Sequence, residues 1–192
     1  ILGMLLAARN IVPALNFTAG LQGDDATLHK LVEDGKKNYA GIELRGRTLG
    51  IIGLGAIGRL VADTALGLGM SVYGYDPEIT VDAAWSLSAQ VKKANSVEEL
   101  LKHSDFVTLH VPLLDSTRGL INAQRLQVMK QGGVLLNFSR DAIVDADAVL
   151  ASLQSKHLLN YVCDFPAQKL QGQANVVTLP HLGASTEEAE EN

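Results

Sequence analysis

An α/β fold, a parallel sheet with helices on both faces, is predicted for this chain by three observations. From Thr48 onward, short apolar runs alternate with stretches of helical periodicity, the order that builds a parallel sheet. The first run leads through a glycine-rich turn, Gly53-Leu-Gly55-Ala-Ile-Gly58, into a helical pattern. Polar residues then follow the ends of successive runs, where an open sheet of this class places its ligands.

The elements follow in order. Residues 1 to about 16 carry Leu2, Leu5, Leu6, Ile11, Val12 and Leu15 at helical spacing, with Pro13 expected to bend or end the run. Residues 17–47 are polar and turn-rich and read as a connecting arm. Thr48 to Ile52 is the first strand. Ile57, Leu60, Val61, Ala65 and Leu68 then recur at helical spacing before Gly69. Ser71 to Tyr75 is the second strand. Further strands are expected over 105–111, 133–138, 158–163 and 175–179, while residues 83–94 give no clear pattern. The domain plan is therefore a helical segment and connecting arm over 1–47, followed by one sheet domain over 48–192. The start at Ile1 and the acidic close, Thr186 to Asn192, read as cut ends, so a flanking domain outside this chain is expected.

The glycine turn carries chemistry. Gly53 permits a tight turn, Gly55 lets a pyrophosphate approach bare backbone, and Gly58 lets the helix lie close on the sheet. The helix start offers free N–H groups and a partial positive charge. Asp76 follows 23 residues after Gly53, near where a ribose-binding acid belongs. Together these predict a Rossmann-type, doubly wound sheet that binds a dinucleotide. Asp76 can accept both ribose hydroxyls of NAD and would repel an extra phosphate, and Pro77 and Glu78 supply no arginine for one. NAD is expected, and no metal.

Bulk properties narrow the partners. Apolar residues make up 47% and charged residues 19%, the balance of a soluble globular protein. The net charge of −5, without Lys/Arg clusters, argues against nucleic-acid or membrane-surface partners. No apolar run reaches the roughly 18–20 residues that span a bilayer. One cysteine, Cys163, permits no internal disulfide and suits a reducing cytoplasm.

Asp76, Arg140, Asp164 and His181 all follow predicted strands, so they line one edge of the sheet. The imidazole of His181 can give or take a proton near neutrality. The planar fork of Arg140 suits a carboxylate, although a salt bridge to Asp141 is the plainer alternative. Asp164 could accept from the nicotinamide side or merely cap a turn. His110, before Val111-Pro112, reads as structural. The set suggests hydride transfer between NAD and a small 2-hydroxy or 2-oxo acid, with Arg140 on the carboxylate and His181 on the hydroxyl proton.

Several motifs appear in order: Leu44 to Gly58, Leu109-His-Val-Pro-Leu113, Met129 to Arg140 with Val144-Asp145, and Pro180-His-Leu-Gly-Ala-Ser-Thr186. On these the chain resembles the D-isomer-specific 2-hydroxyacid dehydrogenases along nearly its whole length. The ending leans towards members that oxidise 3-phosphoglycerate on the way to serine. Hydroxypyruvate, glyoxylate, D-lactate and formate stay open as substrates, as does a non-catalytic NAD-sensing role. The resemblance implies an inserted nucleotide-binding domain with residues 1 to about 16 as its interdomain helix, a homodimer or higher homo-oligomer, and Arg140 with His181 as the catalytic pair. It implies NAD contacts at Gly53, Gly55, Ala56, Ile57, Gly58, Asp76, Val111, Pro112, Phe138, Ser139, Arg140, Asp164, His181, Gly183 and Ala184.

Two departures from the family pattern stand out. The glutamate that usually pairs with the catalytic histidine has no counterpart in Asp164-Phe-Pro-Ala-Gln168-Lys169, so Gln168 is expected beside His181. There it would orient the ring without lending charge. Asp141 replaces the glycine common after the arginine, and is expected to occupy a left-handed turn and to compete for Arg140.

Overall fold

The computed structural model describes residues 1–183 and 185–190. The chain opens with two helices, α1 (Leu2–Ala8) and α2 (Ile11–Ala19), bent 65° apart. The break falls at Asn10, whose φ of 50° is left-handed, a conformation asparagine tolerates. It does not fall at Pro13. That proline sits in the first turn of α2, where its missing N–H would have had no helical partner. The stretch read as a polar arm is largely helical, with α3 (Asp25–Gly35) capped by Asp24, whose carboxylate accepts from the Thr27 N–H at 2.9 Å. Neither α2 nor α3 buries a residue fully, so no apolar stripe betrays α3.

Strand β1 (Thr48–Ile52) leads into α4 (Ala56–Gly67), and β2 (Ser71–Tyr75) follows. The unclear stretch forms a short helix, α5 (Val81–Trp85), and a two-residue edge strand, β3 (Lys92–Lys93). Helix α6 (Val97–His103), β4 (Phe106–Leu109), α7 (Ala123–Val128) and β5 (Gly133–Asn137) come next. The remainder is α8 (Ala146–Gln154), β6 (Leu158–Cys163), β7 (Val176–Thr178) and a last turn, α9 (Glu187–Glu190).

All seven strands pair in parallel, in the order β3-β2-β1-β4-β5-β6-β7. The winding reverses between β1 and β4, which puts the ligand crevice at their carboxyl ends. Strands β4 and β5 are buried throughout, which is why they read as unbroken apolar runs. Strand β4 ends at Leu109, two residues before the expected Val111, because His110 is the last residue to bond β1.

Two cores flank the sheet. One gathers Leu100, Leu101, Leu126 and Val149 from the helices after β3. The other gathers Met4, Ala7 and Ala8 of α1 with Ala62 and Ala65 of α4. Helix α1 thus packs into the sheet's own core, and Asn160 of β6 donates to the Ala7 carbonyl at 3.4 Å. Only part of the periodic set on α4 is buried: Ala65 is in the core and Val61 packs against it, whereas Ile57 and Leu60 are 61% and 64% exposed, and Gly58 and Ala62 complete the face on the sheet. The helix lies too close for larger side chains. No single helix among the described residues is long and apolar enough to cross a membrane.

Close packing also governs the opposite face. A Cβ at Gly50 would lie 2.3 Å from Ser104 Oγ and 2.5 Å from Leu100 Cδ2, both buried. Gly50→Val is therefore expected to destabilise the fold by about 1–3 kcal/mol, read as a lower urea midpoint at unchanged slope.

Candidate cofactor and catalytic site

The glycine turn leaves β1 with Gly53 at φ +94°. A Cβ there would meet the His110 carbonyl oxygen at 2.5 Å, so a side chain is excluded by both strain and space. The space beside Gly55 is open, and no side chain caps the helix start after it. The first-turn N–H groups at Ala56 and Ile57 therefore face outward with no side-chain acceptor, ready for an anion.

Asp76 follows β2 and braces this turn. Its Oδ2 accepts from the Leu54 N–H at 2.8 Å, and its Oδ1 from the Glu78 N–H at 3.0 Å. Each oxygen keeps a lone pair for a hydroxyl. A cavity of about 520 Å³ opens beside it, walled by Ile79, Leu87 and Val91, with Lys93 at its margin. These walls come from the stretch that sequence reasoning left without an element. Leu87 and Val91 were visible as apolar residues, but nothing in their spacing pointed to a pocket.

On the other side of the turn, polar side chains stitch the loops together. The buried Asn137 donates to the Arg140 carbonyl at 2.9 Å and accepts from the Ser139 N–H at 3.2 Å. Ser139 Oγ donates to the Val111 carbonyl, joining the end of β5 to the Val111-Pro112 loop. Asn137 was not singled out from sequence; a lone polar residue closing an apolar run was its only signal. Arg140 is exposed, donates to the Ser139 carbonyl at 2.6 Å, and makes no ion pair among the described residues. The Asp141 carboxylate turns away to accept from the Ala142 N–H at 2.7 Å. Asp141 is also not left-handed; it opens a 3-10 turn, so neither the strained turn nor the competition for Arg140 is realised.

His181 follows β7 with φ +54°. Its Nδ1 lies 3.0 Å from Asp164 Oδ2, with the imidazole 62% exposed and the carboxylate 5%. The Phe165 ring packs against the imidazole at 5.4 Å. Gln168, expected beside His181, begins a 3-10 turn over Gln168–Leu170; among the described residues no hydrogen bond joins it to the imidazole, whose Nδ1 pairs with Asp164 instead. Asp164, the residue directly after β6, supplies that acceptor at 3.0 Å. Asp164 Oδ1 is buried with no partner.

Two further cavities meet here. One, of about 280 Å³, lies under α1 between Phe138, Asp164 and Leu182, with Gly183 at its rim. The other, of about 400 Å³, runs along Val111, Pro112, Ser139 and Arg140. Ile57, His110 and Phe138 wall both, so the cavities adjoin. Ala184 lies outside the described residues. His110 is thus more than a strand terminator. Its Nε2 is 3.1 Å from Thr108 Oγ1, and burial pushes its pKa down to about 4.

These residues fit NAD. Along the edge, the acceptors of Asp76 after β2, the open backbone at Gly55 after β1 and the orphaned Asp164 oxygen after β6 answer in turn to a ribose, a pyrophosphate and a carboxamide.

Comparison with known proteins agrees. The sequence model of the D-isomer specific 2-hydroxyacid dehydrogenase, NAD binding domain, matches residues 4–183. The chain is 38% identical to a D-3-phosphoglycerate dehydrogenase of Methanocaldococcus jannaschii, across 97% of this chain and 34% of that protein. It is 42% identical to the D-3-phosphoglycerate dehydrogenase of Pongo abelii, across 83% of this chain and 31% of that one. The chain therefore spans about a third of the length of these relatives. The solved apo structure of Rhodotorula graminis D-mandelate dehydrogenase superposes with a TM-score of 0.83 at 28% identity, covering 98% of this chain and 55% of that one.

The buried imidazole sets a pH dependence. With His110 at about 4 when folded and 6.5 when unfolded, the unfolded chain binds the extra proton between those values. Stability contributed by neutral His110 is present above about 6.5, falls as the pH drops towards 4, and falls no further below it. Urea titrations should show wild-type stability dropping about 2 kcal/mol more than that of His110→Asn between pH 7 and 4.5.

Proposed function

We propose a function from one premise: this chain belongs to the D-isomer-specific 2-hydroxyacid dehydrogenases, as their NAD-binding domain. The full protein oxidises 3-phosphoglycerate to 3-phosphohydroxypyruvate, the first step towards serine, and the relatives named above support that substrate. NAD, when bound, supplies the hydride acceptor. The chain's own residues bind, orient and move the proton.

Gly53, Gly55 and Gly58 shape the seat for the pyrophosphate, over the N–H groups of Ala56 and Ile57. Asp76 takes the adenosine ribose. Val111, Pro112, Phe138, Ser139 and Gly183 line the nicotinamide half, where the apolar walls of Ile57 and Phe138 keep water from the reacting carbon. Arg140 holds the substrate carboxylate with two parallel N–H bonds, and its freedom from any carboxylate partner is the observation that carries this reading. His181 takes the hydroxyl proton in oxidation and returns it in reduction. A second domain outside this chain closes the substrate side. The exposed Leu5, Ile11 and Leu15 of α1 and α2 suit a homodimer face, and the buried thiol of Cys163 suits a cytoplasmic setting.

A related reading keeps the chemistry and changes the acid, favoured by the likeness to D-mandelate dehydrogenase. An NADH-oxidation assay on the full-length protein separates the two. Phosphohydroxypyruvate should be preferred over hydroxypyruvate, glyoxylate and pyruvate; equal or better turnover of an unphosphorylated acid would replace the phosphoglycerate assignment. In the same assay Arg140→Lys exchanges a bidentate clamp for a point charge. It should lower kcat/KM ten- to hundred-fold, the equivalent of about 1.5–3 kcal/mol.

Asp76→Ser should raise the KM for NADH and narrow the preference over NADPH. The carboxylate that repels a 2′-phosphate is then gone, while Lys93 remains at the cavity. An unchanged NADH/NADPH ratio would remove Asp76 from cofactor selection.

A further inference from the structure

Strands β5 and β6 end on polar residues that the sheet holds side by side. Asn137 and Cys163 are registered partners at the last position of each strand, and both are buried. Tyr161 lies two residues earlier on β6, registered with Leu135, so its side chain shares their face of the sheet. It too is buried, at 4% exposure.

Asn137 is committed on two sides. Its Oδ1 accepts from the Ser139 N–H at 3.2 Å, and its Nδ2 donates to the Arg140 carbonyl at 2.9 Å. Reversing the amide would lose both bonds, so its orientation is fixed and one N–H is left over. The Tyr161 hydroxyl meets the side chains of Asn137 and Cys163. Burial, and after it the Cys163 thiol, raise the pKa of Tyr161, whereas Asn137 lowers it, the sign expected of an N–H donated to the phenol oxygen. The hydroxyl hydrogen is then left for Cys163 Sγ, which itself donates to the Phe165 carbonyl at 3.3 Å and lies 3.8 Å from Thr178 Oγ1.

A phenylalanine ring would fill this part of the core equally well. The hydroxyl is therefore the informative atom, because burying one is costly unless partners are supplied. Its partner on β5 is the residue that shapes the Arg140 turn. The guanidinium of Arg140 is held only by the Ser139 carbonyl, so its aim depends on that turn's backbone. A clamp of two parallel N–H bonds tolerates little misplacement.

We propose that Tyr161 is a positioning residue for substrate binding: its hydroxyl completes the hydrogen bonding of Asn137, and Asn137 thereby fixes the backbone from which Arg140 presents its guanidinium to the substrate carboxylate. The inference rests on the reading of Arg140 as that clamp, but the bonds it invokes exist without substrate.

Tyr161→Phe keeps the ring and removes the hydroxyl. In NADH oxidation by the full-length protein, it should raise the KM for phosphohydroxypyruvate about five- to ten-fold, the loss of one neutral hydrogen bond, and leave the KM for NADH unchanged. In an Arg140→Lys background it should change nothing further, because the clamp it serves is already lost. An unaltered KM for the acid, an equal rise in both KM values, or additivity with Arg140→Lys would each overturn the proposal.

Hydrogen exchange of the full-length protein, resolved by residue, supplies a readout without turnover. In Tyr161→Phe the Ser139 N–H should exchange about ten-fold faster, while the amides of residues 134–136 in β5 keep their rates. An unchanged Ser139, or a uniform acceleration along β5, would show that the ring only packs. Should Tyr161→Phe not fold, NMR of the wild type decides: the Tyr161 hydroxyl proton should give a cross-peak to the Asn137 side-chain amide, and its absence would overturn the link. Failure of the wild type to reduce any 2-oxo acid would overturn the dehydrogenase reading itself, while the Ser139 exchange would still judge Tyr161 and Asn137.

Discussion

Helix α4 rests on β1 through a contact that only glycine allows. A Cβ at Gly58 would stand 2.0 Å from the Gly53 carbonyl oxygen, so the helix start and the strand end are locked backbone to backbone. Because the two elements are so close, the turn between them has one shape, with Gly53 at positive φ and its N–H bonded to the Tyr75 carbonyl at 2.9 Å. Asp76 then reaches the Leu54 N–H and ties β2 to the same turn. The phosphate seat, the ribose acid and the reversal of strand order all follow from that approach. It also explains why α4 shows the sheet a face of glycine and alanine, and why Ile57 is left at the cleft.

From there the carboxyl edge is built by short polar bonds between loops rather than by core packing. Asn137 shapes the Ser139-Arg140 turn, Ser139 holds the Val111 loop, and Thr108 holds His110. None of these side chains needs to touch a substrate. Each satisfies a donor or acceptor that the end of a strand would otherwise leave open, and each thereby fixes the direction of a neighbour that does face the cleft. Arg140 is the exception by design of its surroundings. Its backbone is pinned through Asn137, whereas its guanidinium has only the Ser139 carbonyl and stays available.

How much of this could be read in advance depended on the kind of signal. Strands β1, β2 and β6 matched their expected limits, because glycine or polar residues bracket apolar runs whose backbones bond on both sides. The placement of Asp76, Arg140, Asp164 and His181 after strands followed from topology alone. Pairings across the edge did not. Which acceptor meets His181 depends on the path of the chain after Cys163, and spacing carries no information on that path. The same limit hid α3, which buries no residue fully, and the outward face of Ile57 and Leu60 on α4, whose periodic spacing does not say which members sterics exclude from the sheet. Pro13 misled for a related reason: a proline breaks a helix only beyond its first turn, and the sequence does not say where that turn begins.

Helix α1 binds these parts into one mechanical unit. It precedes the sheet by some forty residues, yet its Gly3 is placed where a Cβ would lie 2.7 Å from the Phe138 ring, and Met4 is buried in the core beneath. Phe138 in turn walls both cavities on the nicotinamide side, next to the residues of the proton relay. Packing this tight leaves no room between α1 and the Phe138 ring, so the two positions are set together. The outer surface of α1 and α2 carries exposed leucine and isoleucine, the kind of surface that another domain or subunit covers. A body seated on that surface would press on the same helix that roofs the cavity. The outer surface of α1 and the wall of the nicotinamide-side cavity are thus two faces of one short helix.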